Sequence, residues 1–138
     1  MTAHTERHDS AVTRYFEAWN ARDPEARAKA VAAAWTEDGT YTDPLADVLG
    51  HQEITAVIAA AHEQFPGFVF RPTGTTDGHH EVIRFSWELV SEAGGTSLLG
   101  ELGGGSAPVA GSDVVTLDED GRFITVVGFL DRGPDGAL

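Results

Sequence analysis

Cysteine is absent from this 138-residue chain, which excludes disulfide staples, thiolate nucleophiles and Cys-ligated metals. Positive charge is scarce. Nine Lys and Arg stand against 22 Asp and Glu, a formal net charge of -13, so phosphate backbones and anionic membrane surfaces are repelled and nucleic acid is not an expected partner. Long apolar runs are missing too: nothing approaches the ~18 residues of a membrane span, and the first ten residues lack the apolar stretch of a secretion signal. The expectation is a cytoplasmic protein with no membrane partner. No GxGxxG or Walker pattern opens a helix, which argues against a phosphate cradle.

What is present is ordinary for a globular chain. Hydrophobic residues make up 41%, enough for a core, and the length suits one domain spanning residues 1–138. Val12, Tyr15, Phe16 and Trp19 recur at i, i+3, i+4 and i+7, the stripe of a first helix that Asn20 to Asp23 ends. Asp23-Pro24-Glu25 reads as a cap and first turn, opening a second helix through Val31 and Trp35. Glu37-Asp38-Gly39 reads as a turn, and Thr40 to Asp43 as a short extended stretch stopped by Pro44. Tyr41 and Asp43 share one face of it. After a loop around Gly50, the stripe Ile54, Val57, Ile58, Ala61, Phe65 predicts a third helix, stopped at Pro66-Gly67.

From Phe68 the period becomes two, and Asp77-Gly78 signals a hairpin turn. Ile83, Phe85, Trp87 and Leu89 fall on one face of the next strand, and Val82, Arg84, Ser86 and Glu88 on the other. Residues 91 to 108, with Gly94-Gly95 and Gly103-Gly104-Gly105-Ser106, read as a long hairpin with a mobile tip. Two strands follow, Val109 to Leu117 and Phe123 to Asp131, joined at Asp118-Glu119-Asp120-Gly121, and the tail around Pro134 and Gly136 reads as frayed. This order predicts an α+β fold: a curved antiparallel sheet closed on one side by three helices around one pocket.

Three polar residues carry candidate chemistry. Asp43, beside a proline at a strand end, is either a turn or capping aspartate or a carboxylate at the pocket mouth. Asp113 interrupts an otherwise half-buried strand, where aspartate is depleted. It either points to water from an edge strand or faces inward, where desolvation raises its pKa and makes it a general base or a neutral hydrogen-bond donor. Tyr15 lies in the first helical stripe, a core position whose phenol needs a partner when buried. His79 and His80 are adjacent in a strand and point to opposite faces, a poor metal pair, and His51 and His62 show no ligand spacing. Arg84 needs a carboxylate partner if buried.

The segments Arg14 to Asp23, Trp35 to Pro44 and Asp113 to Gly128 resemble the nuclear transport factor 2-like superfamily, in particular its SnoaL-like polyketide cyclase and ketosteroid isomerase branches. The resemblance extends from Val12 to Asp131. It implies a cone-shaped fold, a homodimer, and an apolar small-molecule ligand handled without a cofactor. Tyr15 resembles the tyrosine that donates to the substrate oxyanion, Asp43 in Thr42-Asp43-Pro44 the general base, and Asp113 the protonated acid of the oxyanion hole. In the cyclase branch the late-strand acid is itself the base, so Asp113 serves both readings. Trp19, Phe65, Phe85, Trp87 and Phe129 are the expected substrate-binding residues.

There are departures. Ile58 stands where the isomerases carry a further tyrosine, and the glycine-rich segment is longer than the isomerase hairpin, which weakens steroid specificity. An epoxide-hydrolase-like branch calls for an arginine and an aspartate where Gly111 and Phe129 stand. The resemblance thus leaves two functions: acid-base isomerisation or cyclisation of an apolar carbonyl compound, or a non-catalytic ligand-binding or dimerisation module.

Overall fold

The computed structural model describes residues 2–91 and 109–132. The glycine-rich stretch after Ser91 and the tail with Pro134 and Gly136 lie outside the described residues. Helix α1 runs Thr2–Asn20, α2 Pro24–Ala34 and α3 His51–Gln64. The strands are β1 Trp35–Asp43, β2 Ala46–Leu49, β3 Phe68–His79, β4 Val82–Ser91, β5 Val109–Leu117 and β6 Phe123–Arg132. They form one six-stranded curved sheet in the order β2-β1-β6-β5-β4-β3, with the helices packed on it. Among the described residues no helix is long and apolar enough to cross a membrane.

The stripe read in α1 buries Ala11, Val12, Tyr15, Phe16, Ala18 and Trp19. At the corner, the Asp23 carboxylate accepts the Ala26 N–H at 2.9 Å and Pro24 fills the first turn of α2. Buried Arg27 turns back to donate to the carbonyls of Ala21 and Arg22, both at 3.0 Å, satisfying acceptors in the corner between α1 and α2. Asn20 pairs with the backbone of Phe70 in both directions, at 2.9 and 2.8 Å, so an amide side chain ties α1 to the edge strand β3.

The structure departs from five expectations. Helix α2 stops at Ala34, because Trp35 is extended and starts β1. Glu37-Asp38-Gly39 is not a turn but an irregular stretch of β1, where a Cβ on Gly39 would lie 2.7 Å from Cδ1 of Trp35. The loop before Gly50 contains β2, which pairs back on β1 from Asp43↔Ala46 to Thr40↔Leu49. The first long hairpin turns at His80-Glu81 rather than Asp77-Gly78: β3 continues to His79, and His80 takes φ 51. The sheet is also not wholly antiparallel, since β1 lies parallel to β6. Exposed Arg84 pairs with Asp77 at 2.8 Å.

The core gathers on the concave face. Ile83, Phe85, Trp87 and Leu89 of β4 are all buried there, as the period-two pattern predicts. Trp35 and Phe123 pack edge to face at 5.4 Å under Tyr15.

Candidate functional site

The register of the sheet sets Asp43, Gly128 and Asp113 in one row. Thr42 pairs with Val127, which brings Asp43 of β1 beside Gly128 of β6, and Gly128 pairs directly with Asp113 of β5. Two strand spacings put the carboxylate-bearing Cα atoms about 10 Å apart. The residue between them has no side chain: a Cβ on Gly128 would lie 2.6 Å from Asp113 Oδ1 and 3.6 Å from the Asp43 Cβ.

Asp113 faces inward and is 1% exposed, because β5 is an interior strand and the position falls on the concave face. The Tyr15 hydroxyl of α1 donates to its Oδ2, and the Trp87 side chain donates to the same carboxylate. Burial pushes the Asp113 carboxyl up from 3.8 to about 7. The two donors pull it down, while the nearby charges of Asp43 and Asp131 push it further up. Burial likewise raises the Tyr15 phenol well above its usual range, helped by the charge of Asp113, by Tyr41, by the hydrogen bond to Asp113 and by Asp43. Tyr15 is therefore a protonated donor at neutral pH, backed by an acid that burial holds well above the usual carboxylate range.

Asp43 combines both of its sequence readings. Its Oδ1 accepts the N–H groups of Leu45 and Ala46, each at 2.8 Å, closing the β1–β2 turn. Its Oδ2 accepts the Tyr41 hydroxyl at 2.6 Å, and its side chain lines the cavity. Burial, followed by the charges of Asp43 and Asp113, holds the Tyr41 phenol well above the usual tyrosine range. Two phenol–carboxylate pairs thus face one space.

That space is a cavity of about 290 Å³ between the concave face of the sheet and helices α1 and α3. Tyr15, Tyr41 and Asp43 form its polar end. Trp19, Phe65, Phe70, Trp87, Leu89, Val109 and Leu130 make apolar walls, with the exposed Leu45 and Gln64 at the rim. None of these lining residues is Lys, Arg or His, so among the described residues the wall offers no counter-charge to a carboxylate or phosphate ligand.

Of the expected substrate-binding residues, Trp19, Phe65 and Trp87 line the cavity and two do not. Phe85 is on the correct face but lies below the site, 5.0 Å from the Tyr15 ring and 5.8 Å from Phe16, as part of the core. Phe129 is on the wrong face. With Val126, Gly128 and Leu130 inward, the pleat turns Phe129 outward, 55% exposed, and its neighbour Leu130 is the lining residue. Asp113 itself does not line the cavity and meets it through Tyr15 and Trp87, which do. Sequence reasoning missed Tyr41 as a site residue, although its spacing of two from Asp43 was the available signal. His51 and His62 are engaged with the carbonyls of Trp35 and Trp19, at 2.9 and 2.7 Å.

Three helices over a curved, unclosed six-stranded sheet define the nuclear transport factor 2-like α+β class. Residues 12–126 match the family model described as a SnoaL-like domain, and the chain belongs to that family. A crystal structure of a candidate isomerase of the SnoaL-like family from Agrobacterium tumefaciens is 41% identical, covers 91% of this chain and 98% of its own, and superposes with a TM-score of 0.78. Two candidate polyketide cyclases share the fold. One, SnoaL-like, from Jannaschia, shows 19% identity, coverage of 91% and 86%, and a TM-score of 0.68. The other, from Sinorhizobium meliloti, shows 18% identity, coverage of 86% and 93%, and a TM-score of 0.62. No curated protein matches the chain in sequence.

Proposed function

We propose that the chain performs acid-base chemistry on an uncharged, apolar carbonyl compound, as an isomerase or an intramolecular cyclase. The observation that carries this is the polar end of the cavity, where a phenol backed by a buried carboxyl and a separate carboxylate share a space otherwise apolar. The substrate oxygen accepts a hydrogen bond from Tyr15. When Asp113 is protonated it donates to the Tyr15 oxygen, freeing the phenol proton for the substrate and stabilising the enolate that forms. Asp43 Oδ2, which keeps one lone pair after binding Tyr41, removes the proton from the adjacent carbon. Return of that proton to another carbon gives isomerisation, whereas attack of the enolate on a second carbonyl gives cyclisation. No cofactor enters these steps. The 41% identity to a SnoaL-like protein described as a candidate isomerase supports the same class.

The apolar outer face of the sheet, with Val114, Ile124, Val127 and Phe129 exposed, is proposed to pair two copies of the chain. One observation favours binding without turnover: both oxygens of Asp43 already hold donors, three between them, which leaves fewer free lone pairs to meet a substrate proton. Assaying wild type and Asp43→Asn on β,γ-unsaturated ketones, from a cyclohexenone to a ketosteroid, decides between them. The amide retains the turn contacts and cannot act as a base. Turnover that collapses in the variant supports catalysis; a wild type that binds these ketones and converts none supports the binding role.

A further inference from the structure

The two walls through which Asp113 meets the cavity are not equivalent in origin. Tyr15 reaches it from a helix, whereas Trp87 reaches it along the sheet from the neighbouring strand. Asp113 sits opposite Phe85 on β4, so Trp87, two residues on and on the same face, is its diagonal neighbour, within reach of a long aromatic. The indole gets there by lying across its own cross-strand partner, Gly111. A Cβ at that position would fall 2.4 Å from Trp87 Cζ2 and 2.8 Å from Cε2, so no larger residue leaves the ring where it is. Phe70 holds the ring from the other side, 5.2 Å between centroids. The indole nitrogens of Trp19 and Trp35 are buried without a hydrogen-bond partner; that of Trp87 is spent on the carboxylate.

We infer that Trp87, seated over Gly111, is a positioning residue that holds Asp113 and passes its protonation state to the cavity wall. The inference rests on the proposed role of Asp113. An indole N–H donates and never accepts, so it holds the ionised carboxylate more strongly than the neutral one. The other groups acting on Asp113 are Tyr15 of α1, Tyr41 and Asp43 of β1 and Asp131 of β6, all neutral or negative. Trp87 and Tyr15 are thus the donors that balance its burial. A ligand that displaces the Trp87 ring removes one of them and promotes proton uptake at Asp113.

The test needs no substrate. In the ¹⁵N-Trp-labelled protein, the three indole N–H resonances are followed from acid to alkaline pH, with Trp87 assigned by its loss in Trp87→Phe. The expected result is that the Trp87 resonance alone moves with a midpoint near 7, and that Asp113→Asn abolishes the movement. The ¹³Cγ resonance of Asp113 should titrate with the same midpoint, rising by about one pH unit in Trp87→Phe, because a donor to the charged form has been removed. Gly111→Ala, which keeps the indole but displaces it, should raise the midpoint in the same direction. A Trp87 resonance that ignores pH while Asp113 titrates near neutrality overturns the inference and leaves the reading of Asp113 intact. An Asp113 that does not titrate near neutrality overturns both.

Discussion

Replacing Asp113 by Asn should make the protein more stable at alkaline pH and remove part of its pH dependence. In the folded chain the Asp113 carboxyl is raised from 3.8 to about 7, so between those values the folded state holds a proton that the unfolded chain has released. The stability associated with the neutral carboxyl is therefore fully present below 3.8 and is lost as pH rises through 7. At about 1.4 kcal/mol per pH unit the whole effect is roughly 4 kcal/mol, of which about 2 to 3 kcal/mol falls between about pH 5 and about pH 8. Asn keeps a carbonyl oxygen to accept from Tyr15 and does not ionise. Urea unfolding of both proteins across that range, read by tryptophan fluorescence, measures the difference directly, and any cost of the amide that does not depend on pH cancels. A gap that stays constant from about pH 5 to about pH 8 would show that Asp113 has the same protonation in both states and that its carboxyl is not raised.

Gly128→Ala places a methyl group 2.6 Å from Asp113 Oδ1; calorimetry should show a loss of about 1 to 3 kcal/mol, together with loss of activity. Tyr41→Phe removes one of the three donors to Asp43 without emptying the core, so kcat should change more than KM in steady-state assays. Phe85→Ala should cost about 3 to 5 kcal/mol in denaturant unfolding, whereas Phe65→Ala, on the partly exposed cavity wall, should weaken ligand binding in calorimetric titrations at a smaller cost in stability. Phe129→Glu, on the outer face, should shift sedimentation toward the monomer and leave the fold unchanged by circular dichroism.

The parts of the fold that were legible in the sequence are those set by local periodicity. The stripe of α1, the inward row of β4 and the bounds of β5 follow from side-chain spacing within a single element. The oddity of Asp113 is also visible, because aspartate is depleted from a run that reads as a half-buried strand, although the sequence leaves open whether it faces inward. What stayed hidden depends on register between distant strands. The parallel pairing of β1 with β6 is what brings Asp43 beside Gly128, and nothing local to either strand announces it. Phe129 was misplaced by a single residue, since one step along a strand exchanges the faces and only the pairing of Asp113 with Gly128 says which is inward. Asp77-Gly78 carries the stronger turn signal, yet the chain turns at His80-Glu81, where the pairing of Gly78 with Ile83 extends both strands. Tyr41 was noted as sharing a face with Asp43, but its hydrogen bond emerges only once that face is seen to line the cavity.

The proposed catalysis begins when Asp43 removes a proton beside a carbonyl. Exchange of that proton with solvent tests it without requiring the natural substrate. A saturated cyclic ketone is incubated in deuterated buffer with wild type, Asp43→Asn or Tyr15→Phe, and deuterium uptake at the carbon beside the carbonyl is followed by NMR. Wild type should take up deuterium well above the buffer rate, with a large loss in both variants. Uptake at the buffer rate in all three, with the ketone bound, would contradict the proposed catalysis.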